Sequence, residues 1–237
     1  MPYLALIRHG QSQWNLDNRF TGWVDVNLTA EGEAQARRSG ELLKASGVAF
    51  DKLYTSVQTR AIRTGTIAIE AMGEAWLPVV KDWRLNERHY GGLTGLDKKE
   101  TAEKHGEAQV LVWRRSYDIP PPVLEAGSEF DLSKDRRYAG VAVPATESLK
   151  DTLARVMPYW EGVIAPELKA GKNLMIAAHG NSLRAIVKLL FNVPDDKIVG
   201  VEIPTGNPLL LDLDGALKVK GARYLDEARA QPIPAVA

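Results

Sequence analysis

The feature that most constrains this chain is a short apolar run that stops at a cation and an imidazole. Residues 4–7 are apolar and are followed at once by Arg8, His9 and Gly10. A short apolar run that ends at glycine is typical of a buried strand, and in open α/β sheets ligands bind just beyond the carboxyl ends of the strands. Arg8 and His9 at such a position predict an anionic substrate and a nucleophile or proton carrier. The alternative is a basic loop after the first strand.

A second apolar run ends in the same way. Residues 174–178 are apolar and are followed by His179 and Gly180, where a helix is predicted to start. The chain has four histidines, and two of them follow such runs. Because the carboxyl ends of parallel strands meet at one edge of a sheet, we expect the rings of His9 and His179 to lie together there.

Strand-like runs alternate with helical patterns along the chain, which predicts a mainly parallel sheet covered by helices on both faces. Thr29 and Ser148 are candidate caps at two helix starts. Residues 199–203 and 209–213 are predicted to form late strands, and Asp214-Gly215 predicts a hairpin after them.

Length and composition favour a single soluble domain over residues 1–237, because 237 residues with 45% hydrophobic content can bury a sizeable core. The net charge is zero, so no overall field favours nucleic acid or a membrane surface. Cysteine is absent, which excludes a disulfide framework and a thiolate metal site. No signal-like start and no long apolar run is present, so a cytoplasmic protein is the default expectation.

Residues 116–145 have no regular pattern and contain Pro120-Pro121-Pro122. A stretch of this length inside a compact domain is usually functional or mobile. We interpret it as an insertion over the site that acts as a lid. The tail after residue 226 is rich in alanine and proline and is expected to be loose.

Arginine side chains are the candidates for holding a phosphate, because their forked donors make charge-assisted hydrogen bonds to it. The sequence contains no glycine-rich nucleotide loop that could do this instead. The candidates are Arg8, Arg60, Arg88, Arg114 and Arg115. Arg60 can equally be a surface helix residue, and Arg114-Arg115 a solvated pair.

Metal-binding motifs are absent from the sequence, so we expect a site that works without a metal. Glu87 is the one carboxylate in the basic loop 86–90. It can pair with an arginine, or it can act as a general acid and base on a substrate hydroxyl. From the residues alone, His89 and His105 are structural or surface histidines.

Taken in order, these motifs resemble the histidine phosphatase superfamily, and within it the cofactor-dependent phosphoglycerate mutases. The resemblance runs from about residue 3 to about residue 225. The matching stretches are 6–23, 54–64, 84–96, 113–115 and 177–184. The resemblance implies a three-layer α/β/α sandwich with one antiparallel edge strand. It also implies the interconversion of 3-phosphoglycerate and 2-phosphoglycerate, with 2,3-bisphosphoglycerate as primer and intermediate.

The resemblance further implies a role for each site residue. His9 would become phosphorylated, and protonated His179 would stabilise the phosphoryl group in transfer. Arg8 and Arg60 would hold its oxygens, and Glu87 would be the acid and base. The implied substrate-binding set is Arg8, His9, Gly10, Gln11, Ser12, Gln13, Trp14, Asn15, Thr21, Gly22, Arg60, Glu87, Arg88, His89, Tyr90, Lys98, Arg114, Arg115, Gly180 and Asn181. Asp97 departs from the asparagine expected in many relatives and could weaken Lys98 as an anion ligand.

Two alternatives stay open at this point. The first is a phosphatase of the same superfamily, which would pass the phosphoryl group to water. The second is a non-catalytic interaction module. The expected partners are small phosphorylated three-carbon acids and further copies of the chain in a homo-oligomer, with neither nucleic acid nor membrane.

Overall fold

A six-stranded sheet forms the middle layer of the protein. The computed structural model describes residues 1–235, so the last two residues of the predicted loose tail lie outside the described residues. The strands are β1 (Tyr3–Arg8), β2 (Lys52–Thr55), β3 (Val79–Lys81), β4 (Leu174–Ala178), β5 (Leu209–Leu213) and β6 (Val219–Tyr224). They lie in the order β3-β2-β4-β1-β5-β6.

The direction of the strands agrees with the predicted mainly parallel sheet. The first four strands all pair in parallel, and β5 pairs antiparallel with β1. The predicted hairpin at Asp214-Gly215 then returns β6 along the outer side of β5. The strand that runs against the others is therefore β5, and β6 occupies the edge of the sheet beyond it.

Helices cover both faces of the sheet, which gives three layers. The α-helices are α1 (Gln13–Leu16), α2 (Ala30–Ala45), α3 (Thr59–Met72), α4 (Lys98–His105), α5 (Glu107–Arg115), α6 (Leu149–Tyr159), α7 (Ala165–Lys169) and α8 (Gly180–Leu190). Leu43 of α2 and Ile69 of α3 pack with Met175 on one face of the sheet. Val156 of α6 and Ile186 of α8 pack with Ile176 on the other. The predicted three-layer α/β/α sandwich is confirmed.

The helix starts follow the capping pattern of the sequence. The Thr29 hydroxyl accepts a hydrogen bond from the Gly32 amide at 3.1 Å and caps α2. Ser148 caps α6 and forms a capping box with Asp151. Pro158 lies in the last turn of α6, and the chain continues as a π-helical turn, Trp160–Ile164, before α7. These caps satisfy amides that a helix cannot pair internally.

The predicted strand at 199–203 is wrong. The chain forms a 3-10 turn, Ile198–Gly200, and then an extended segment that belongs to no strand. Val201 and Ile203 are buried, which gives the segment the alternation of a strand. The Ile203 carbonyl, however, accepts a hydrogen bond from Arg8 at 2.8 Å, and the Glu202 carbonyl accepts one from the Tyr224 hydroxyl at 3.1 Å. Side chains therefore take acceptors that a neighbouring strand would otherwise have used.

The predicted insertion, residues 116–145, is fully described and contains no α-helix or strand, only a 3-10 turn at Arg136–Tyr138. Arg137 forms an ion pair of 2.6 Å with Asp25. The ring of Tyr138 packs on Trp23, with their centroids 4.9 Å apart. The insertion thus rests on the loop that follows β1. Its action as a lid stays a prediction.

Candidate active site

The parallel pairing of β1 with β4 brings the two histidines together. Arg8 lies opposite Ala178 in the register, and the His9 amide donates to the Ala178 carbonyl at 2.9 Å. Both imidazoles are buried, and their centroids are 5.0 Å apart. The sequence prediction that the His9 and His179 rings lie together at the carboxyl edge of the sheet is confirmed.

The orientation of the His9 ring is fixed by its own backbone. Nδ1 lies 2.7 Å from the carbonyl oxygen of Gly10. Because a carbonyl only accepts, Nδ1 carries the proton and Nε2 carries the lone pair. Burial, followed by the Arg60 and Arg8 cations, holds the pKa of His9 well below its ordinary value. The ring is therefore neutral near pH 7 and can act as a nucleophile through Nε2.

The second imidazole, His179, is the residue that precedes α8. Its Nε2 is 2.8 Å from the Ser56 hydroxyl, and no protein group in the described part of the chain bonds to its Nδ1. Burial, then Arg60 and the His9 ring, holds the pKa of His179 well below its ordinary value. The His179 ring is neutral beside the Arg60 cation, and an anion bound next to it would favour its protonated form.

Arg60 is held rigidly at the start of α3. It donates to the carbonyl oxygens of Gly22 at 2.8 Å and Val24 at 2.9 Å, while its buried Nε has no partner in the part of the chain that the structure describes. Gly22 has a φ of +57°, a conformation that favours glycine and presents its carbonyl to the guanidinium. Burial lowers the pKa of Arg60 to about 10, so the group remains a cation at neutral pH. The alternative of a surface helix residue is excluded, because Arg60 is 1% exposed.

Gln58, the residue that precedes α3, links Arg60's loop to the loop that carries Glu87. Its Nε2 donates to the Gly22 carbonyl at 2.9 Å, and its Oε1 accepts from the Glu87 amide at 2.9 Å. The side chain is fully buried. The residue therefore fixes the distance between the loop of Gly22 and the loop of Glu87.

The Glu87 carboxylate is bound by backbone amides. Its Oε1 accepts hydrogen bonds from the amides of Arg88 at 2.7 Å and Asn181 at 3.1 Å. Among the described residues it has no salt-bridge partner within 4.0 Å, although Arg60 lines the same cavity. The ion-pair alternative for Glu87 therefore does not describe its contacts. One oxygen is fixed, and the other is left for chemistry.

A buried ion pair holds the backbone of the loop that carries Glu87. Arg155 lies 2.7 Å from Glu147, and both side chains are buried. Arg155 also donates to the carbonyl oxygens of Arg84 at 2.7 Å and Glu87 at 3.3 Å. The amide of His89 donates to Glu147 at 2.8 Å. The several N–H donors of the Arg155 guanidinium thus hold the irregular backbone between Arg84 and Glu87 in place.

Two adjoining cavities, of about 100 Å³ and about 110 Å³, open at this edge of the sheet. We name the first the His9 cavity and the second the Arg115 cavity. The His9 cavity is lined by Arg8, His9, Asn15, Arg19, Phe20, Thr21, Gly22, Arg60, Glu87, Tyr90, Lys98 and Arg114. The Arg115 cavity is lined by Arg8, Glu87, Tyr90, Arg114, Arg115, Gly180, Asn181, Arg184, Glu202 and Ile203. Both walls are rich in cations, which suits a ligand with two anionic ends.

Two other lining groups have perturbed acidity. Burial acts to raise the pKa of Tyr90, but the Arg88 cation and hydrogen bonds lower it overall. Burial lowers the pKa of Lys98. Asp97 does not disturb Lys98 by a direct contact, because its Oδ1 accepts from the amides of Lys99 and Glu100 and caps α4.

Several residues predicted to bind substrate do not line either cavity. Ser12 caps α1, Gln13 is exposed, and the Trp14 ring packs against Phe130. Gln11 accepts a hydrogen bond from Thr29 through its side chain. Adjacent residues in a loop and a short helix point in different directions, so a continuous motif cannot place every side chain in one cavity.

Four more predicted residues, Gly10, Arg88, His89 and His179, are not among the lining residues of either cavity. Gly10 lies against Gly32, and a Cβ at Gly10 would come within 2.1 Å of the Gly32 oxygen. His89 is buried and its Nδ1 accepts from the Gly91 amide, and burial lowers its pKa to about 4. Arg88 packs over the Tyr90 ring, and His179 contacts His9.

Some site residues were missed in the sequence. Arg184 lies one turn into α8, and its Nη1 donates to the Asn181 side chain at 2.9 Å. Glu202 reaches the Arg115 cavity from the segment before β5. Arg184 shares the matched stretch with Gly180 and could have been found there, whereas no sequence signal points to Glu202.

The described residues contain no group of three or more histidine, aspartate or glutamate side chains that could hold a metal ion. Over the same residues, no helix is long and apolar enough to cross a bilayer.

Comparison with known proteins agrees with the arrangement of the site. The model of the histidine phosphatase superfamily (branch 1) matches residues 4–216. Relatives named 2,3-bisphosphoglycerate-dependent phosphoglycerate mutase are 73% identical in Caulobacter sp. (strain K31) and 65% identical in Sphingopyxis alaskensis. These alignments cover 100% and 96% of this chain, and 100% of each relative.

Solved structures share the fold at lower identity. The vanadate (VO3) complex of a mycobacterial glucosyl-3-phosphoglycerate phosphatase superposes with a TM-score of 0.72 at 23% identity, over 94% of this chain and 97% of that one. The chain therefore belongs to the histidine phosphatase superfamily, in the family of its 2,3-bisphosphoglycerate-dependent phosphoglycerate mutase relatives.

Proposed function

We propose that the chain interconverts 3-phosphoglycerate and 2-phosphoglycerate through a phosphorylated His9, with 2,3-bisphosphoglycerate as primer and intermediate. The names of the full-length relatives support this activity. The observation that carries it is the neutral His9 ring, which has Nδ1 fixed by Gly10 and lies among arginine side chains beside an unpaired carboxylate. Phosphoryl transfer requires mainly such positioning and charge stabilisation from a protein.

In the first half-reaction, a substrate hydroxyl attacks the phosphorus of phosphohistidine 9. The bond between Nε2 and phosphorus breaks, its electron pair returns to the ring, and a bisphosphate results. In the second half-reaction, Nε2 attacks the other phosphate of that bisphosphate and releases the isomeric monophosphate. Nε2 of His9 thus carries a free lone pair between the two half-reactions and a phosphoryl group before and after them. The enzyme therefore returns to its phosphorylated starting state.

Glu87 moves the proton in both half-reactions. Its free oxygen accepts the hydroxyl proton as the hydroxyl attacks, and returns it to the leaving oxygen in the reverse sense. Oε1, held by the amides of Arg88 and Asn181, keeps the carboxylate in place. A salt bridge to an arginine would make it a weaker base, and Glu87 has none among the described residues.

Arg8 and Arg60 hold the oxygens of the phosphoryl group in transfer, with His179 as a further donor once the anion has favoured its protonation. Three buried nitrogens of this site have no protein partner among residues 1–235, namely Arg8 Nε, Arg60 Nε and His179 Nδ1. Buried donors of this kind are normally bonded, so they support binding of an oxyanion here. The rest of the substrate is held by Asn15, Thr21, Gly22, Tyr90, Lys98, Arg114, Arg115, Gly180 and Asn181.

The second candidate is a phosphatase of the same superfamily. The likeness to a phosphatase structure is at 23% identity and concerns the fold. The cationic Arg115 cavity beside the His9 cavity favours a mutase, because a two-ended ligand must be held while it changes ends. The non-catalytic module is disfavoured, since a binding role needs neither the fixed His9 tautomer nor the unpaired Glu87. The homo-oligomer, the cytoplasmic location and the lid stay predictions.

Two measurements test the proposal. Incubation with labelled 2,3-bisphosphoglycerate should give an acid-labile, base-stable phosphoprotein, and His9→Ala should abolish the label. Mutase activity should depend on the bisphosphate primer and should exceed the release of inorganic phosphate. Label that survives in His9→Ala would remove His9 from the mechanism, and phosphate release as the main reaction would favour the phosphatase.

A further inference from the structure

The Arg115 cavity contains a carboxylate that no step of the proposed reaction uses. Glu202 lines this cavity with one oxygen 3.9 Å from Nη1 of Arg8 and the other 3.5 Å from Nη2 of Arg115. Its side chain is 49% exposed. Its neighbours Val201 and Ile203 are buried, so the backbone directs Glu202 to the opposite side, toward the arginines. A carboxylate in this cavity would repel an anionic ligand, so its presence there needs an explanation.

The two cavities differ in charge, and Glu202 accounts for half of the difference. The His9 cavity has five cationic side chains, Arg8, Arg19, Arg60, Lys98 and Arg114, against the single carboxylate of Glu87. The Arg115 cavity has four, Arg8, Arg114, Arg115 and Arg184, against the two carboxylates of Glu87 and Glu202. The cavity at the nucleophile is therefore the stronger anion site.

The contacts of Glu202 are weak enough for an anionic group of the ligand to replace them. Distances of 3.5 and 3.9 Å exceed those of a charge-assisted hydrogen bond, and half-exposed ion pairs contribute little to stability. Arg115 has no other salt bridge among the described residues. A carboxylate or phosphate of the ligand can therefore replace Glu202 at Arg115 without breaking a strong interaction.

We propose that Glu202 competes with the ligand for Arg115, and so weakens the hold of the Arg115 cavity on the end of the ligand that is not reacting. This inference rests on the proposed function, in which both ends of a bisphosphate must visit His9. An end that is bound tightly in the Arg115 cavity cannot leave it for the next half-reaction. Equal tightening of ground state and transition state brings no gain in turnover. Glu202 thus keeps binding in the Arg115 cavity weak enough for the bisphosphate to exchange its two ends at His9.

The test compares two ligands on Glu202→Gln by equilibrium binding. 3-Phosphoglycerate has an anion for each cavity and is not turned over by unphosphorylated enzyme, whereas inorganic phosphate needs only the His9 cavity. Removal of the charge of a half-exposed carboxylate such as Glu202 should change the affinity for a neighbouring anion by about two- to tenfold. We expect the Kd of 3-phosphoglycerate to fall by that factor and the Kd of inorganic phosphate to stay within about twofold.

Glu161→Gln is the matched control, because Glu161 is exposed on the π-helical turn after α6 and lines neither cavity. It should leave both constants unchanged. An unchanged or raised Kd of 3-phosphoglycerate in Glu202→Gln would overturn the proposal, and so would equal tightening of both ligands. Because binding needs no turnover, tightening without any mutase activity would strike out the proposed function alone. Failure of the native protein to bind 3-phosphoglycerate would overturn both.

Discussion

Replacement of Gln58 by leucine tests whether the distance between the Gly22 loop and Glu87 matters for catalysis. The variant Gln58→Leu keeps much of the side-chain volume and removes both hydrogen bonds. The Gly22 carbonyl keeps its bond from Arg60, whereas the buried Glu87 amide loses its side-chain acceptor. An unpaired buried donor costs about 1–3 kcal/mol, so the free energy of unfolding should fall by that amount.

The effect on turnover should be larger than the effect on stability. Without Gln58, the Glu87 loop and the Gly22 loop can shift relative to each other, and a misplacement of about 1 Å can cost about 100-fold in rate. The arginine side chains still bind the substrate. We therefore expect kcat for 3-phosphoglycerate to fall at least about 10-fold with a smaller change in KM, measured with saturating primer.

Asn173→Leu is the matched control for Gln58→Leu. Asn173 also accepts from one backbone amide, that of Tyr3 at 2.8 Å, and donates to one carbonyl, that of Ala49 at 2.7 Å. It lies at the opposite end of the sheet, before β4. It should lower the free energy of unfolding in urea and leave kcat unchanged. A kcat for Gln58→Leu within about twofold of the native value, or equal losses in both variants, would refute the reasoning.

Three further predictions follow from the site. Glu87→Gln should lower the mutase rate by about 10²- to 10⁴-fold while 3-phosphoglycerate still binds, because the amide keeps the shape and loses the titratable oxygen. Mutase activity should persist in excess chelator. The unfolded chain protonates His89 below about pH 6.5 and the folded chain only near pH 4, so the free energy of unfolding should fall by about 3 kcal/mol across that window, and His89→Gln should remove this part of the acid sensitivity.

Each of these has a distinct contrary result. Loss of 3-phosphoglycerate binding in Glu87→Gln, with unchanged turnover of bound substrate, would show that Glu87 only orders the arginines. Loss of activity on chelation, with rescue by a divalent ion, would indicate a metal-dependent enzyme. An acid slope in urea titrations that is the same in His89→Gln as in the native protein would assign the sensitivity to other groups.

The parts of the fold that could be predicted are those in which local pattern and burial agree. Residues 4–7 and 174–178 are buried on both faces of the sheet, so each reads as a continuous apolar run, and the glycine after each histidine marks its end. The predicted strand 199–203 ends in an alternation of burial, with Val201 and Ile203 buried, yet its carbonyl groups accept from the Arg8 and Tyr224 side chains in place of a strand. Only the tertiary structure decides which group takes a backbone carbonyl.

The residues of the candidate site likewise divide into those that the sequence predicts and those that only the tertiary structure places. Residues at strand ends and at the first turn of a helix, such as His9 and Arg60, have directions that the parallel fold imposes. The orientation of Trp14 depends on Phe130 in the insertion, more than one hundred residues away in sequence. Gln58 and Glu202 act through contacts between distant segments, and no spacing in the sequence indicates such contacts.

Within residues 1–235, several buried guanidinium nitrogens have no protein partner, and a ligand bound to them would stabilise the folded chain. The Nε atoms of Arg8, Arg60 and Arg184, which line the two cavities, are of this kind. A ligand that satisfies them binds the folded chain alone, so it stabilises the fold by RT ln(1 + [L]/Kd). At a concentration one hundred times Kd this amounts to about 2.7 kcal/mol, or roughly a hundredfold fewer unfolded molecules. If phosphorylated acids bind as proposed, an abundant supply would protect the chain from proteases that attack the unfolded state.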